Sequence, residues 1–277
     1  MTLALFALLV ALGSFLAGLL GALTGLGGGI VVVPMLTLLF GVNLRYAIGA
    51  SLVSVIATSS GAAAAYVREG YTNVRVGIFL EVATTTGALI GAALAGLIPT
   101  SALAVLFGLV LLYTAWRSFQ PREEHITQEA HPLATELRLN GSYPVGGRMQ
   151  SYAVQKVPLG FAVMGVAGVL SALLGIGSGV VKVLAMDRAM QLPFKVSTTT
   201  SNFMIGVTAA ASAGVDLHRG YIEPTLACPV MLGVLGGALL GARILARANT
   251  VWLRRLFTAV VVVLAAEMLY KGLTGGL

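Results

Sequence analysis

The chain has 277 residues, of which 57% are hydrophobic and only 10% charged, and its formal net charge is +7. This composition lacks the polar shell of a soluble protein and predicts an integral, helical membrane protein in contact with a lipid bilayer. The positive charge does not indicate nucleic-acid binding, because the basic residues lie at the ends of apolar segments and in one polar stretch. The single cysteine, Cys228, excludes an intramolecular disulfide, and we expect no metal and no cofactor.

Apolar segments recur along the chain in two groups of about five. The first group is predicted near 2–23, 29–41, 46–67, 76–98 and 100–119, and the second near 157–174, 179–191, 196–216, 221–246 and 251–271. Most of them reach the roughly 20 residues that cross about 30 Å of hydrocarbon. The first segment lacks the features of a cleaved secretory signal, so we expect it to be a retained span. The sequence therefore predicts an all-α membrane protein, with a first transmembrane repeat over 1–119 and a second over 157–277.

The stretch between the two groups, 120–156, is polar. Over 121–152 it carries charges, prolines and an Asn-Gly pair that is typical of turns. We predict a solvent-exposed cytoplasmic linker, and we assign no catalytic role to its His125 or His131.

The two halves are copies of one another. A shift of 150 residues lays GLLGALTGLGGG (18–29) on GVLSALLGIGSG (168–179), with seven identities in twelve positions and no gap. The same shift lays Ser51 on Ser201. A constant offset over such a length indicates an internal duplication.

Basic residues predict how the two copies lie in the membrane. Lys and Arg prefer cytoplasmic loops, and a cytoplasmic linker with both termini outside places 13 of the 17 Lys and Arg residues inside. The two halves then enter the bilayer from opposite sides. The sequence predicts an inverted-topology repeat, the architecture of many secondary transporters, in a multi-pass membrane protein.

Glycines interrupt the apolar pattern at corresponding places in both halves. Each cluster is followed by only about a dozen apolar residues, a helix of about 18 Å that is too short to cross the bilayer. We predict two half-helices that begin inside the membrane, where irregular backbone is tolerated only beside a cavity or within protein. The glycines concerned are Gly25, Gly27, Gly28 and Gly29 in the first half, and Gly175, Gly177 and Gly179 in the second.

Lys182 follows the second glycine cluster within an apolar region. A half-helix N-terminus presents unpaired N–H groups and positive dipole charge, so two of them brought together would bind an anion. Lys182 would add a full positive charge to this site. The alternatives are that Lys182 reaches a membrane interface or pairs with Glu81 or Asp187.

Hydroxyl-bearing residues occur at corresponding positions after each half-helix. Ser51, Ser201 and Asn202 could donate hydrogen bonds to ligand oxygens without adding charge, or they could serve helix packing instead. Glu81, inside the fourth segment, is the candidate to carry a coupling proton, and the alternative is a structural partner for Lys182. The pairs Gly87/Gly91 and Gly237/Gly241 are predicted to be helix-packing surfaces.

The motifs GLGGGIVVVP (25–34) and GIGSGVVKV (175–183), with PFKVSTTTSNFMIGVTAAASA (193–213), resemble the TauE/SafE-type sulfite and sulfonate exporters, also called the toluenesulfonate uptake permease family. The resemblance covers both apolar halves. It implies a prokaryotic inner-membrane permease for sulfite, sulfonates or related organic anions. This chain differs from the family pattern at Leu184 and at Ser178, where the serine could add a side-chain donor to the site.

Other functions remain open at this stage. An anion channel could use the same site, and proton-coupled uptake of an organic anion would reverse the direction of export. An intramembrane enzyme would rely on Ser178 and His218. A rhomboid-like serine site has the pattern Gly-x-Ser-Gly, however, and the residue two positions before Ser178 is Ile176. We therefore predict that the protein is not an enzyme. The sequence leaves the oligomeric state open.

Overall fold

The structure is a computed structural model that describes residues 3–24, 28–68, 70–119, 130–145, 148–177, 179–245 and 250–275. It is an assembly of helices, with one small β-hairpin between two helical groups. The prediction of a mostly helical protein is confirmed.

The first group contains five helices that match the predicted segments to within a few residues. α2 is short because it begins beside the first glycine cluster and ends before Gly41, whose φ of +65° turns the chain. The helices are α1 (Leu3–Thr24), α2 (Gly29–Leu38), α3 (Leu44–Arg68), α4 (Val74–Ala95) and α5 (Thr100–Phe119).

The second group repeats this order after the β-hairpin. Its short member, α8, continues into a π-helical turn over Ala185–Ala189, where the backbone bonds skip one more residue than in an α-helix. The helices are α7 (Val157–Leu174), α8 (Gly179–Leu184), α9 (Phe194–His218), α10 (Pro224–Leu245) and α11 (Thr250–Thr274).

The segment between the groups is more ordered than a solvent-exposed linker. A short helix α6 (Pro132–Glu136) precedes two antiparallel strands, β1 (Gly141–Val145) and β2 (Arg148–Tyr152). The Asn-Gly pair does not form the hairpin turn: its glycine begins β1, and the Asn140 side chain accepts a hydrogen bond from the Val154 backbone at 2.9 Å. Residues 120–129 and 146–147 of the predicted linker lie outside the described residues.

The hairpin is held against helix ends by two buried tyrosines. Tyr143 and Tyr152 pack edge to face with their ring centroids 6.0 Å apart, in a cluster with the first turns of α4 and α7. Asn73, the N-cap of α4, donates to the Tyr152 hydroxyl and to the Leu139 carbonyl, both at 2.8 Å. Burial raises the pKa of Tyr152 to about 12, so its hydroxyl stays protonated at physiological pH. The expectation of full solvent exposure is therefore wrong for these side chains.

Helices of one group pack mainly on helices of the other. α1 packs along α10, and α4 packs along α7. Glycines permit close approach: a Cβ at Gly87 would overlap the Gly165 carbonyl, and one at Gly237 would overlap the Phe15 carbonyl. These contacts confirm the predicted packing role for Gly87 and Gly237. α3 lies against α9, and α5 against α11.

Two basic residues bind tyrosines at opposite ends of the assembly. At one end, Lys195 lies 4.4 Å from the centroid of the Tyr71 ring, on the side that carries the β-hairpin. At the other end, Arg45 donates to the Tyr221 hydroxyl at 3.0 Å. We call these the hairpin end (Tyr71, Lys195 and the β-hairpin) and the opposite end (Arg45 and Tyr221).

Three described helices are long and apolar enough to cross a membrane, and others have shorter apolar stretches. α3 and α9 are 25 residues each but carry many hydroxyl side chains, which lowers their hydropathy. The three candidate spans are Val74–Ala95, Val157–Leu174 and Pro224–Gly241. The protein is accordingly a membrane protein.

Candidate functional site

The first residue of α2 lies against the second glycine break in the interior of the protein. α2 begins at Gly29, and a Cβ placed there would lie 3.2 Å from the Gly175 carbonyl oxygen, where α7 ends. Met35 of α2 packs on Gly13 while Gly28 packs on Gly18, so α2 runs back along α1. The start of the first half-helix therefore lies against the break that precedes the second.

Positive φ angles explain why glycine occupies the second break. Gly175 has φ +66° and Gly177 has φ +68°, in the left-handed region that residues with a Cβ rarely adopt. There is also no room for a side chain, because a Cβ on Gly177 would lie 2.8 Å from Ile205. The glycines therefore determine the backbone conformation of the break, and Gly175 ends α7 as a glycine C-cap.

The predicted serines both contact this break. Ser51 of α3 donates to the Gly175 carbonyl at 2.7 Å, and Ser201 of α9 donates to the Gly179 carbonyl at 3.3 Å. Both side chains are buried. Asn202, one residue further along α9, is half-buried, and its side chain projects about 100° around the helix from that of Ser201.

Lys182 of α8 is fully buried. Its relative exposure is 0%, and its ammonium donates to the Thr208 hydroxyl on α9 at 2.5 Å. That hydroxyl lies 2.6 Å from Glu81 Oε1 on α4. The structure thus links Lys182 to Glu81 through one intervening hydroxyl, and it does not place Lys182 at a surface.

The Glu81 carboxyl has an asymmetric environment. Oε1 accepts from Thr208 and also from Thr85, at 3.0 Å. Oε2 is buried and has no hydrogen-bond partner in the part of the chain that the structure describes. A buried carboxyl oxygen without a partner is unusual and calls for a physical explanation.

The charged residues of this contact, Lys182 and Glu81, have no charged counterpart at a shift of 150 residues. A shift of 150 residues relates Lys182 to Val32, Thr208 to Thr58 and Glu81 to Met231. Among the described residues, Thr58 donates within its own helix, to the Ser54 carbonyl at 3.0 Å and to the Val55 carbonyl at 3.2 Å. The link between Lys182 and Glu81 therefore has no ionic equivalent at the corresponding positions.

Four further residues are singled out by the sequence pattern. Gly25, Gly27 and Ser178 fall outside the described residues. His218 is exposed at the end of α9. Sequence reasoning missed Thr208, which is one of many hydroxyl residues on α9; its only signal is that it shares the helix of Ser201.

Comparison with known proteins places the chain among membrane transporters. The sulfite exporter TauE/SafE family matches residues 10–268. A probable membrane transporter protein YunE of Bacillus subtilis (strain 168) is 28% identical over 275 residues, covering 97% of this chain and 98% of its own length.

Further relatives carry similar descriptions. A probable membrane transporter protein YdhB of the same bacterium is 28% identical over 237 residues, or 85% of this chain and 89% of its own length. A probable membrane transporter protein of Methanocaldococcus jannaschii, MJ0441, is 26% identical over 279 residues, or 96% of each chain. No solved structure matches the chain. With a family match over almost its whole length, the chain belongs to the TauE/SafE sulfite exporter family.

Proposed function

We propose that the protein is a permease that moves a small anion across the inner membrane by alternating access. The observation that carries this proposal is the contact of Gly29, where α2 begins, with Gly175 of the second break, and the full burial of Lys182 one turn beyond that break. Broken helices that meet inside a membrane protein are where secondary transporters bind their substrates. Membership of a transporter family supports the same reading.

The architecture behind this mechanism would be an inverted-topology repeat. The residue pair Arg45–Tyr221 at the opposite end has a counterpart at a shift of 150 residues, Lys195–Tyr71 at the hairpin end. The packing of α1 on α10 likewise has its counterpart in α4 on α7. Equivalent contacts at opposite ends are what a two-fold axis in the membrane plane generates, and rocking of one repeat against the other would open each end in turn.

Backbone N–H groups, hydroxyls and one ammonium would bind the anion. Ser51 and Ser201 now donate to carbonyls of the second break, and each hydroxyl could rotate toward a ligand oxygen. Lys182 would supply the opposite charge. The full proposed set is Gly25, Gly27, Gly28, Gly29, Gly175, Gly177, Ser178, Gly179, Lys182, Ser51, Ser201 and Asn202.

The proposed substrate is sulfite, a sulfonate or a related organic anion, moved outward. This follows the family description, since the relatives themselves are named only as probable membrane transporters. For an anion that moves without a compensating charge, a negative interior would favour expulsion by about 2.3 kcal/mol per 100 mV. The linker would be cytoplasmic and both termini outside, because that orientation places most of the basic residues inside.

Flux of labelled sulfite into proteoliposomes tests the proposal, with sulfoacetate, sulfate and acetate as competitors. Wild type should show saturable flux, and Lys182→Ala should lose most of it. Lys271→Ala removes a basic residue far from the breaks and is the matched control. Absence of flux for every anion, or equal flux in both variants, would overturn the proposal. Single-channel conductance would instead indicate an anion channel.

A further inference from the structure

A buried lysine needs a compensating negative charge, and the fold places the Glu81 carboxyl within one intervening hydroxyl of Lys182. An uncompensated ammonium inside a membrane protein is strongly disfavoured. Glu81 is the acidic residue that Lys182 reaches, through Thr208, with contacts of 2.5 Å and 2.6 Å. In the arrangement observed, the two charges offset each other without a ligand.

The Thr208 hydroxyl has a choice of acceptors. It lies 2.6 Å from Glu81 Oε1 and 3.1 Å from the Met204 carbonyl oxygen. An ionised carboxylate is the stronger acceptor, so the hydroxyl donates to Glu81 while Glu81 is charged. When Glu81 carries a proton, the Met204 carbonyl becomes competitive, and the link between Glu81 and Lys182 weakens.

Few other ionisable groups surround Glu81. On α4 the other titratable side chain is Arg75, at the first turn, and α7 has none between 157 and 174. On α9, Lys195 and Asp216 lie about 20 Å and about 12 Å from Thr208 along the helix axis, with His218 beyond Asp216. From α8 and its π-helical turn come Lys182, Asp187 and Arg188. Lys182 is therefore the charged group to which Glu81 is coupled most directly.

We propose that Glu81 is the proton-binding group of this permease and that Thr208 is a positioning residue that couples its protonation to anion binding by Lys182. Glu81 Oε2, buried and without a partner among the described residues, is the atom that would accept the proton. This inference deepens the proposed function and rests on it. In the empty carrier, Glu81 is ionised and offsets Lys182. In the loaded carrier, Glu81 is neutral and the anion offsets Lys182.

The net charge of the site in each state determines how many protons move with each anion. Both the empty and the loaded site have zero net charge, so neither state carries a net charge across the membrane interior. One proton would then accompany each monovalent anion in the same direction. Outward movement would run on the anion gradient, and the membrane potential would contribute little.

Glu81→Gln distinguishes movement of the loaded carrier from return of the empty carrier. Glutamine leaves Lys182 free for the anion, so the loaded carrier still has no net charge, while the empty carrier gains one uncompensated positive charge. Exchange of anion for anion requires only the loaded carrier, whereas net flux requires the empty carrier to return. The variant should therefore retain exchange that no longer depends on pH, and should lose net flux driven by a pH gradient.

The experiment compares anion exchange and proton-driven net flux in proteoliposomes, using labelled sulfite and a monovalent alkanesulfonate. Wild type should accumulate anion when an inward proton gradient is imposed, and Glu81→Gln should not. Thr208→Val should reduce the proton response several-fold, whereas Thr58→Val, its counterpart in the first repeat, should resemble wild type. Proton-driven accumulation that persists in Glu81→Gln would overturn the inference. Absence of exchange in wild type would instead contradict the proposed function.

Infrared difference spectroscopy gives a readout that needs no transported substrate. Acidification of purified wild type should produce a protonated-carboxyl band that Glu81→Gln lacks, and Thr208→Val should shift the pH at which the band appears. A band identical in wild type and Glu81→Gln would show that Glu81 does not take up the proton, and the inference would fail even if anion transport is confirmed.

Discussion

Lys182 and Glu81, on different helices and in different halves of the chain, share the hydroxyl of Thr208. The hydroxyl lies 2.5 Å from the ammonium and 2.6 Å from the carboxylate. The three side chains come from three helices: Lys182 from α8, Thr208 from α9 and Glu81 from α4. These hydrogen bonds therefore join α8, the second half-helix, to both α9 and α4. Its loss should affect stability as well as transport.

Thr208→Val should destabilise the protein more than Thr58→Val. Valine has nearly the shape of threonine but cannot bond to either charged partner. Hydrogen bonds to charged groups contribute about 1.5–3 kcal/mol each, and a local hydrogen bond such as that of Thr58 contributes about 0.5–1.5 kcal/mol. Thermal unfolding of both variants in the same detergent measures the difference. Equal midpoints would show that the shared hydroxyl has no special energetic role.

Lys182→Met should be strongly destabilising, and a second substitution, Glu81→Gln, should relieve part of the loss. Removing one member of a buried ion pair leaves the other charge uncompensated, at a cost of about 3–5 kcal/mol, whereas replacing both members is often close to neutral. A double-mutant cycle on unfolding free energies isolates the coupling between the two sites. Strictly additive effects would mean that the charges do not compensate each other.

Much of the fold follows from sequence patterns, because the ten helical segments coincide with apolar runs and the short helices with glycine clusters. The contact between Gly29 and Gly175 also agrees with the predicted meeting of the breaks. Thr208 could not be predicted, because its partner Glu81 lies 127 residues away and only tertiary packing brings them together. The β-hairpin escaped prediction for a similar reason, since its short polar strands are stabilised by tyrosines that pack on helix ends.

Gly237→Ala and Gly236→Ala, at adjacent positions of α10, should have opposite effects. A Cβ at Gly237 would overlap the Phe15 backbone carbonyl, and overpacking of this kind costs about 1–3 kcal/mol. At Gly236 the nearest atom to a Cβ is a Phe15 ring carbon at 3.5 Å, an ordinary contact. Alanine there should stabilise the helix by about 0.5–1 kcal/mol. Thermal midpoints of the two variants test this, and destabilisation by both would contradict the close packing of α1 on α10.

Tyr221→Phe and Tyr71→Phe should each loosen one end of the protein. Tyr221→Phe removes the hydroxyl that accepts from Arg45 at 3.0 Å. Loss of one such hydrogen bond costs about 1 kcal/mol, so the equilibrium constant for opening of that end should rise roughly fivefold. Tyr71→Phe should have the smaller effect, because the hydroxyl that it removes accepts from Lys195 at the longer distance of 3.4 Å, and the ammonium keeps its position 4.4 Å from the ring centroid. Hydrogen exchange should rise near 43–49 and 220–224 in the first variant, and near 70–75 and 193–200 in the second. A rise at both ends in either variant would contradict opening of one end at a time.

Asn73→Ala should release the β-hairpin from the helices. The Asn73 side chain caps α4 by accepting from the Val76 N–H, and it also donates to Leu139 and Tyr152. Loss of the cap alone costs about 1 kcal/mol, and loss of the two donated bonds leaves buried acceptors without partners. Limited proteolysis should therefore cleave within 130–156 faster than in wild type.

Asn43→Ala is the matched control for this change. The Asn43 side chain accepts from the Arg45 N–H at 3.0 Å at the start of α3, and among the described residues it makes no hydrogen bond to the hairpin. Asn43→Ala should lower the free energy of unfolding by a similar amount, through loss of a helix cap, and should leave the rate of proteolysis within 130–156 unchanged. If both variants expose the hairpin equally, the hairpin is held by the Tyr143–Tyr152 packing alone, and the Asn73 contacts do not anchor it. If only Asn73→Ala does so, one side chain both begins α4 and anchors the segment that joins the two halves.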